Sequence, residues 1–458
     1  MSAKTAVTIL LTVLAVTSTS MAMKFQDGTV EVIKSDPNYF IDTHIDLWAF
    51  SDDVVTWLDS RVGWQDAMVI GTHLSDPAHT EFLVDPNTFR ANEISMDYPL
   101  AAYTYSYPND YDSVYLRLAD ISNESSISIW PIPSPGREPH CISVEGNQLS
   151  LFDSSWCSGV FLIDITDPAA SSFYLIDNLD VHNQSTFNTA HDGNILSWCG
   201  EGYDLITDSY YGFLNVADIS DPENPQINRN KIPYTGPYEW NHSYLNSIDA
   251  SGDWLVGNGY INDASGVFAI QHYTDPDPNN WNIVELWTSP YIDTGFAPGE
   301  PRIDGNIAVW TLQGSGGYTP YSMSVDCKDC IQTETKRLDT SVSHLMGAYL
   351  TDNGHAVVSI LCSAGEYEED YDYAADISGL NVVWSRYYSS SLHQSEAAEY
   401  VTGTIQLQCG DTGYNYGDIN RDCQVNILDM ALMAQNWLTC TTPEDTNCTE
   451  GLVFADLY

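Results

Sequence analysis

Between Pro139 and Asn178 the sequence PHCISVEGNQLSLFDSSWCSGVFLIDITDPAASSFYLIDN falls into four short strand-like runs: CISV, QLSLF, GVFLIDI and SFYLI. The breaks between them are Gly146-Asn147, Ser158-Gly159 and Asp167-Pro168. Gly and Asn accept the positive φ of a tight hairpin, and Asp-Pro opens a turn while removing a ladder donor. One such unit is a four-stranded antiparallel sheet. By itself it leaves both faces in water, so it needs neighbours of its own kind.

The neighbours are present. Anchored on the turn before the second strand, related stretches occur at Asp52 (SDDVVTW), Asp97 (SMDYPLAAY), Gly146, Gly193 (AHDGNILSW), Gly252 (ASGDWLVGN), Gly305 (RIDGNIAVW) and Gly354 (TDNGHAVVS). Each is followed by a third-strand ending: GTHLSDP, LADIS, IDITDP, VADISDP, QHYTDP, MSVD and AADIS. Repeats of about 50 residues with four strands apiece predict the blades of a propeller. The expected fold is all-β: a seven-bladed β-propeller of four-stranded antiparallel blades over 23–408. Either Phe25–Asp36 or Glu399–Gln408 is expected to overlap the last blade and close the ring.

The turn, the alternating strand and the VADISDP-type ending resemble the LVIVD-repeat family of secreted bacterial β-propellers, most clearly at Gly146, Gly193 and Gly252. The resemblance implies the fold and a secreted protein. It implies no shared catalytic motif.

Lys4, an apolar run from Val7 to Val16 and the small-residue site Ser20-Met21-Ala22 read as a Sec signal peptide over residues 1–22. That run is half the length of about 20 residues that a spanning helix needs, so no membrane span is expected after its removal, and the protein is expected to be secreted or held at the cell surface. The 15 basic and 63 acidic residues give a net charge of −48, which repels phosphate backbones and anionic lipid and excludes nucleic acid as a partner. Ten cysteines in an exported chain predict disulfides, six within the repeats (Cys141, Cys157, Cys199, Cys327, Cys330, Cys362) and four in the tail (Cys409, Cys423, Cys440, Cys448). The Cys327–Cys330 CxxC follows a strand ending, which suits a structural bridge over a redox site. Glu366–Asp372 (EYEEDYD) is either a solvated loop or a calcium loop.

The tail carries the most specific spacing. Asp418, Asn420, Asp422, Gln424, Asn426 and Asp429 place oxygen ligands at positions 1, 3, 5, 7, 9 and 12 of one loop, and a hard cation taking six to eight oxygens fits that wrap. Apolar residues at helical spacing follow in Ile427–Leu438. Loop and helix predict a small α-helical calcium module over 409–458. This module resembles dockerins, which implies calcium as cofactor and a cohesin-like protein partner. Cys423 replaces the usual glycine at position 6, and only one loop is present where dockerins usually have two.

In a propeller, the segments leading into the blades converge on the mouth of a central channel. Five of the 11 histidines (His44, His140, His191, His242 and His344) fall in the ten residues before an anchor. Metal ligation, acid–base work and plain hydrogen bonding remain open for them. Their offsets from the anchors disagree, unlike those of a ring of equivalent ligands. Candidate catalytic residues are Glu138, His140, His242, Glu300, Arg302 and His344, with Glu138 and Glu300 as a possible acid–base pair for glycoside chemistry. No nucleophile elbow, HExxH, P-loop or dinucleotide fingerprint occurs. The expected function is a non-catalytic exported propeller that binds a protein or glycan and is attached through its calcium tail. The alternative is a polysaccharide-active enzyme, a glycoside hydrolase or lyase, working at the channel mouth.

Overall fold

The computed structural model describes residues 23–407, apart from 37–44, 60–66, 89–92, 108–109, 134–138, 154–158, 235–242, 263, 290–296, 314–322, 325–336, 339–343, 353, 364–374 and 389–396. The expected signal peptide, the expected calcium loop and helix, the CxxC and the acidic stretch at 366–372 all lie outside the described residues.

Seven antiparallel sheets follow one another along the chain, at 45–88, 94–132, 139–178, 184–231, 244–289, 297–363 and 375–406. Spatial order within each sheet is chain order, except that strands from the chain start add to the outer edge of the seventh. Each innermost strand packs against that of the next blade, and the seventh packs against the first, so the sheets form a closed ring. The protein is a seven-bladed β-propeller. Strands in the middle of a blade are covered on both faces by neighbouring blades, and they read as near-continuous apolar runs. VVTWLD (Val54–Asp59) is buried at every position and GVFLID (Gly159–Asp164) at all but the last. The outermost strand QINRNK (Gln226–Lys231) buries one residue of six.

Both candidate closing strands are used. Glu31–Asp36 pairs antiparallel with Ala397–Gln406 and becomes the outer edge of the seventh blade. Gln26 also donates its amide to the Thr404 carbonyl at 2.7 Å, and Phe25 stacks on Trp384 with ring centroids 4.9 Å apart. The chain start thus completes a sheet made by the chain end.

Two sequence expectations are corrected in the last blades. The turn that opens the second strand of the seventh blade is at Gly379, with φ 60°, and Gly354 turns between the third and fourth strands of the sixth blade. The segment ADIS (Ala375–Ser378) is the innermost strand of blade seven and not the third strand of a unit begun at Gly354. Likewise Met323–Ser324 pairs with Arg337–Leu338 outside the blade, and His344–Leu350 forms the third strand. A long insertion between strands moved the turn-to-ending distance that the repeat spacing relied on.

The sequence does mark the correct position. Six residues past the end of each innermost strand stand Trp57, Tyr103, Leu151, Trp198, Gly257, Trp310 and Trp384. SGLNVVW has the ring and NGHAVVS lacks it. Five of the seven are rings, and four of these cluster with the preceding blade. Trp57 packs with Val383 and Tyr400, Tyr103 with Val54 and Leu58, Trp198 with Phe152 and Leu162, and Trp310 with Val256 and Leu286. Towards the rim, scarce basic residues tie outer strands together. Asp85 accepts from Tyr103 at 2.7 Å and from Arg117 at 2.5 Å, Arg229 reaches Asp177 at 2.6 Å, and Lys34 pairs with Glu81.

Trp310 is fully buried between blades five and six. Trp310→Ala is expected to lower unfolding stability by about 3–5 kcal/mol in urea titrations. Replacing the 94% exposed Ile206 by Ala should stay within about 0.5 kcal/mol. Equal effects would show that the rings do not hold the blades together.

Candidate functional site

An innermost strand has no sheet neighbour on its axis side, so every second amide along it needs an acceptor from elsewhere. The preceding blade supplies it. The residue ending each innermost strand is Ser51, Asp97, Glu145, Asp192, Ser251, Asp304 or Ser378, and each accepts the turn amide of the next blade. The donors are Tyr98 (3.0 Å), Gly146 (2.7 Å), Gly193, Gly252 (2.6 Å), Gly305 (2.9 Å), Gly379 (2.6 Å) and, closing the circle from Ser378, Asp52 (2.9 Å). Most of the turn donors sit at positive φ, where glycine carries no steric penalty. At this rim, burial and the nearby Asp97 and Asp192 carboxylates push Glu145 up to about 7, against the opposing bond from Gly193.

Two residues earlier on the strands the pattern repeats, because alternate residues share a side. Ser95 accepts from the Val144 amide at 3.0 Å. Asp249 spans two blades, taking Ala250 N at 3.0 Å on Oδ1 and Ile303 N at 2.9 Å on Oδ2. Asp376 does the same with Ile377 N at 2.9 Å and Phe50 N at 3.1 Å. At the equivalent position between them stands Arg302, whose Nη2 donates to Glu300 Oε2 at 3.0 Å. Burial works against the Arg302 charge, but Glu300, Asp249 and Asp376 together outweigh it and raise its pKa. Burial likewise lifts Asp376 to about 7, with Arg302 opposing and Asp249 adding to the rise, and burial raises Asp249 as well. The Arg302 side chain is 35% exposed, so solvent screens part of this attraction.

A third tier lies towards the loop end of the channel. Glu93 accepts the Ile142 amide at 3.0 Å and faces His140 Nδ1 at 3.4 Å. Asn188 accepts from Ile248 N at 3.4 Å. Cys141 stands at φ 51° in a bulged stretch, and its Sγ donates to the Phe187 carbonyl at 3.3 Å. Burial, then Glu93, Cys199 and Glu300, raise its thiol well above the usual range, so it stays protonated and unreactive.

Of the sequence candidates, the structure brings His140, Glu300 and Arg302 to the channel. Glu138, His242 and His44 lie outside the described residues. His344 is corrected: it opens the third strand of blade six, pairs with Leu312 and Ser363, and is 3% exposed, so it does not lead into a blade. His191 is buried on its blade; burial lowers it to about 4, against its bond to the Gly193 carbonyl. The disulfide expectation is corrected for two cysteines: Cys141 and Cys199 are free thiols. The sequence reading missed Glu93, Asp249 and Asp376. Counting back by two from the strand-ending serine, through Asp249-Ala-Ser-Gly and Asp376-Ile-Ser-Gly, would have found the last two. Among the described residues no group of His, Cys, Asp and Glu is arranged to hold a metal ion.

No protein-family model matches this chain, and no curated protein does. Among solved structures, the β-propeller domain of the Trilobed protease from Pyrococcus furiosus is similar at 9% identity and TM-score 0.48, over 79% of this chain and 93% of that one. Pyrococcus horikoshii acylaminoacyl peptidase is similar at 9% identity and TM-score 0.45, over 77% of this chain and 52% of that one. An ancestral GH74 enzyme is similar at 10% identity and TM-score 0.44, over 86% and 52% respectively. The matched region is thus about half of the peptidase and of the GH74 enzyme.

The raised carboxyls fix a sign. Glu145 keeps its proton in the folded state up to about 7, while the unfolded chain releases it near 4.5, so its contribution is complete below that lower value and is lost as pH climbs through 7. Thermal melts between pH 5 and 7.5 should therefore show a falling midpoint, with a shallower fall in Glu145→Gln. Parallel falls in parent and variant would remove Glu145 as a source.

Proposed function

We propose that this protein is a non-catalytic exported propeller that binds a glycan or protein partner, with its LVIVD-like blades as scaffold and a calcium-loaded, dockerin-like tail as the means of attachment. The observation that carries this reading is the engagement of the channel's own chemistry. Asp249 and Asp376 each hold two main-chain amides, Glu93 holds one, and Arg302 is committed to Glu300. Groups so placed keep neighbouring blades in register, and ligand recognition falls to the outer surfaces of the ring. The sequence supports export through residues 1–22, and the acid excess argues against nucleic acid. Asp418, Asn420, Asp422, Gln424, Asn426 and Asp429 supply the calcium ligands in this proposal.

A second reading, a glycoside hydrolase or lyase acting at the channel mouth, is favoured by one observation. Asp376, lifted to about 7, retains a proton over part of the neutral range beside a charged Arg302, as a general acid requires. Incubation of the full chain with neutral and acidic polysaccharides, assayed for reducing ends and unsaturated products, separates the two. No product is expected. Product that disappears in Asp376→Asn or Arg302→Lys, with the fold retained, would establish the enzyme. For the tail, elemental analysis should find about one calcium per chain, lost on chelation and in Asp418→Ala with Asp422→Ala. Zero calcium in the parent chain would sink the attachment proposal.

A further inference from the structure

The wholly buried rings are those between blades. A second set of rings is only half-buried, and it gathers at the loop end of blades four and five. Phe187 lies where the innermost strand of blade four bulges, the register shifting between Thr186 and Asn188. A bulge re-aims a side chain that the regular pleat would send elsewhere. Its ring centroid is 6.4 Å from that of Tyr244, the first residue of the next innermost strand, at 76° between planes. Tyr244 is the cross-strand partner of Tyr260, with centroids 6.1 Å apart and planes 29° apart. The row thus runs from the channel mouth outward across two blades. Further out on blade four, the cross-strand pair Tyr203 and Tyr210 sits 4.9 Å apart at 62°, and Tyr210 is 62% exposed.

The backbone beneath this row is built for close approach. A Cβ at Gly212 would run into the Ser243 carbonyl oxygen, and one at Gly259 into that of Tyr244. Blades four and five therefore meet main chain to main chain at Gly212 and Ser243, and Gly259 lets the first two strands of blade five close up beneath Tyr244. Burial and the Glu201 carboxylate raise the Tyr244 hydroxyl pKa, which places an acid beside the row.

We infer that Phe187, Tyr244 and Tyr260 form a stacking platform for a neutral glycan chain. The inference rests on the binding role proposed above and names its ligand class. Sugar rings present apolar C–H faces that lie against aromatic rings. The chain's charge of −48 selects against uronates and sulfated chains. It disfavours nucleotides for the same reason. Half-buried rings also lose little entropy on binding, since each has only two rotatable bonds already limited by packing.

The test uses the full chain in native affinity gels with galactomannan, hydroxyethyl cellulose and polygalacturonate as probes. Retardation is expected on at least one of the two neutral polymers and not on polygalacturonate. Tyr244→Leu and Tyr260→Leu keep apolar volume and remove the ring. Each is expected to weaken retardation at least tenfold, with a thermal midpoint close to the parent's. If Tyr244→Leu unfolds, Tyr260→Leu, on the second strand, decides alone. Absence of retardation on both neutral polymers, stronger retardation on polygalacturonate, or unchanged retardation in folded Tyr260→Leu would each overturn the platform. Released sugar products would instead overturn the non-catalytic reading and leave the platform standing.

Discussion

The structure depends on a hydrogen bond that no single blade can make. Every innermost strand presents unpaired amides to the axis, and each blade answers with side chains aimed at the main chain of its neighbour. Seven acceptors in sequence, from Ser51 to Ser378, return the circle to its start. Each bond contributes only about 1 kcal/mol net, but leaving the donor unmade in a confined site costs as much or more. The ring is therefore cooperative in a structural sense. Removing one blade would orphan groups on both sides of the gap.

This constraint also explains the electrostatics of the channel. Acceptors must be oxygens, and the chain chose carboxylates at Asp97, Glu145, Asp192 and Asp304. Carboxylates gathered in a narrow space repel one another and lose hydration, which raises Glu145 and Asp376 towards neutrality. Arg302 is the compensating charge. It stands between Asp249 and Asp376 at the same register position in consecutive blades, where any residue would face the axis. Among the described residues, the same geometry that secures the blades engages Asp249, Asp376, Glu93 and Arg302, and it turns attention to the loop end, where aromatic rings are packed without being wholly covered.

Much of the blade plan was legible because it is local. Gly-Asn, Ser-Gly and Asp-Pro breaks mark turns by their φ preferences, and doubly covered strands announce themselves as unbroken apolar runs. The start of the seventh blade is obscured because an insertion in the sixth displaces the spacing; Trp384, a ring six residues past the strand end as in four other blades, marks it. His344 looked like a channel residue only through that same displaced turn. Glu300, Arg302 and His140 were found because they stand close before well-defined turns.

The sequence alone determined a strongly acidic chain of repeated four-stranded sheets, since period, turn chemistry and charge need no distant partner to be read. Which strand closes the ring, which carboxylates share amides, and which aromatics stay half-covered were decided by tertiary structure. Those facts depend on residues hundreds of positions apart, such as Phe50 with Asp376 or Val32 with Val401, meeting only when the circle shuts.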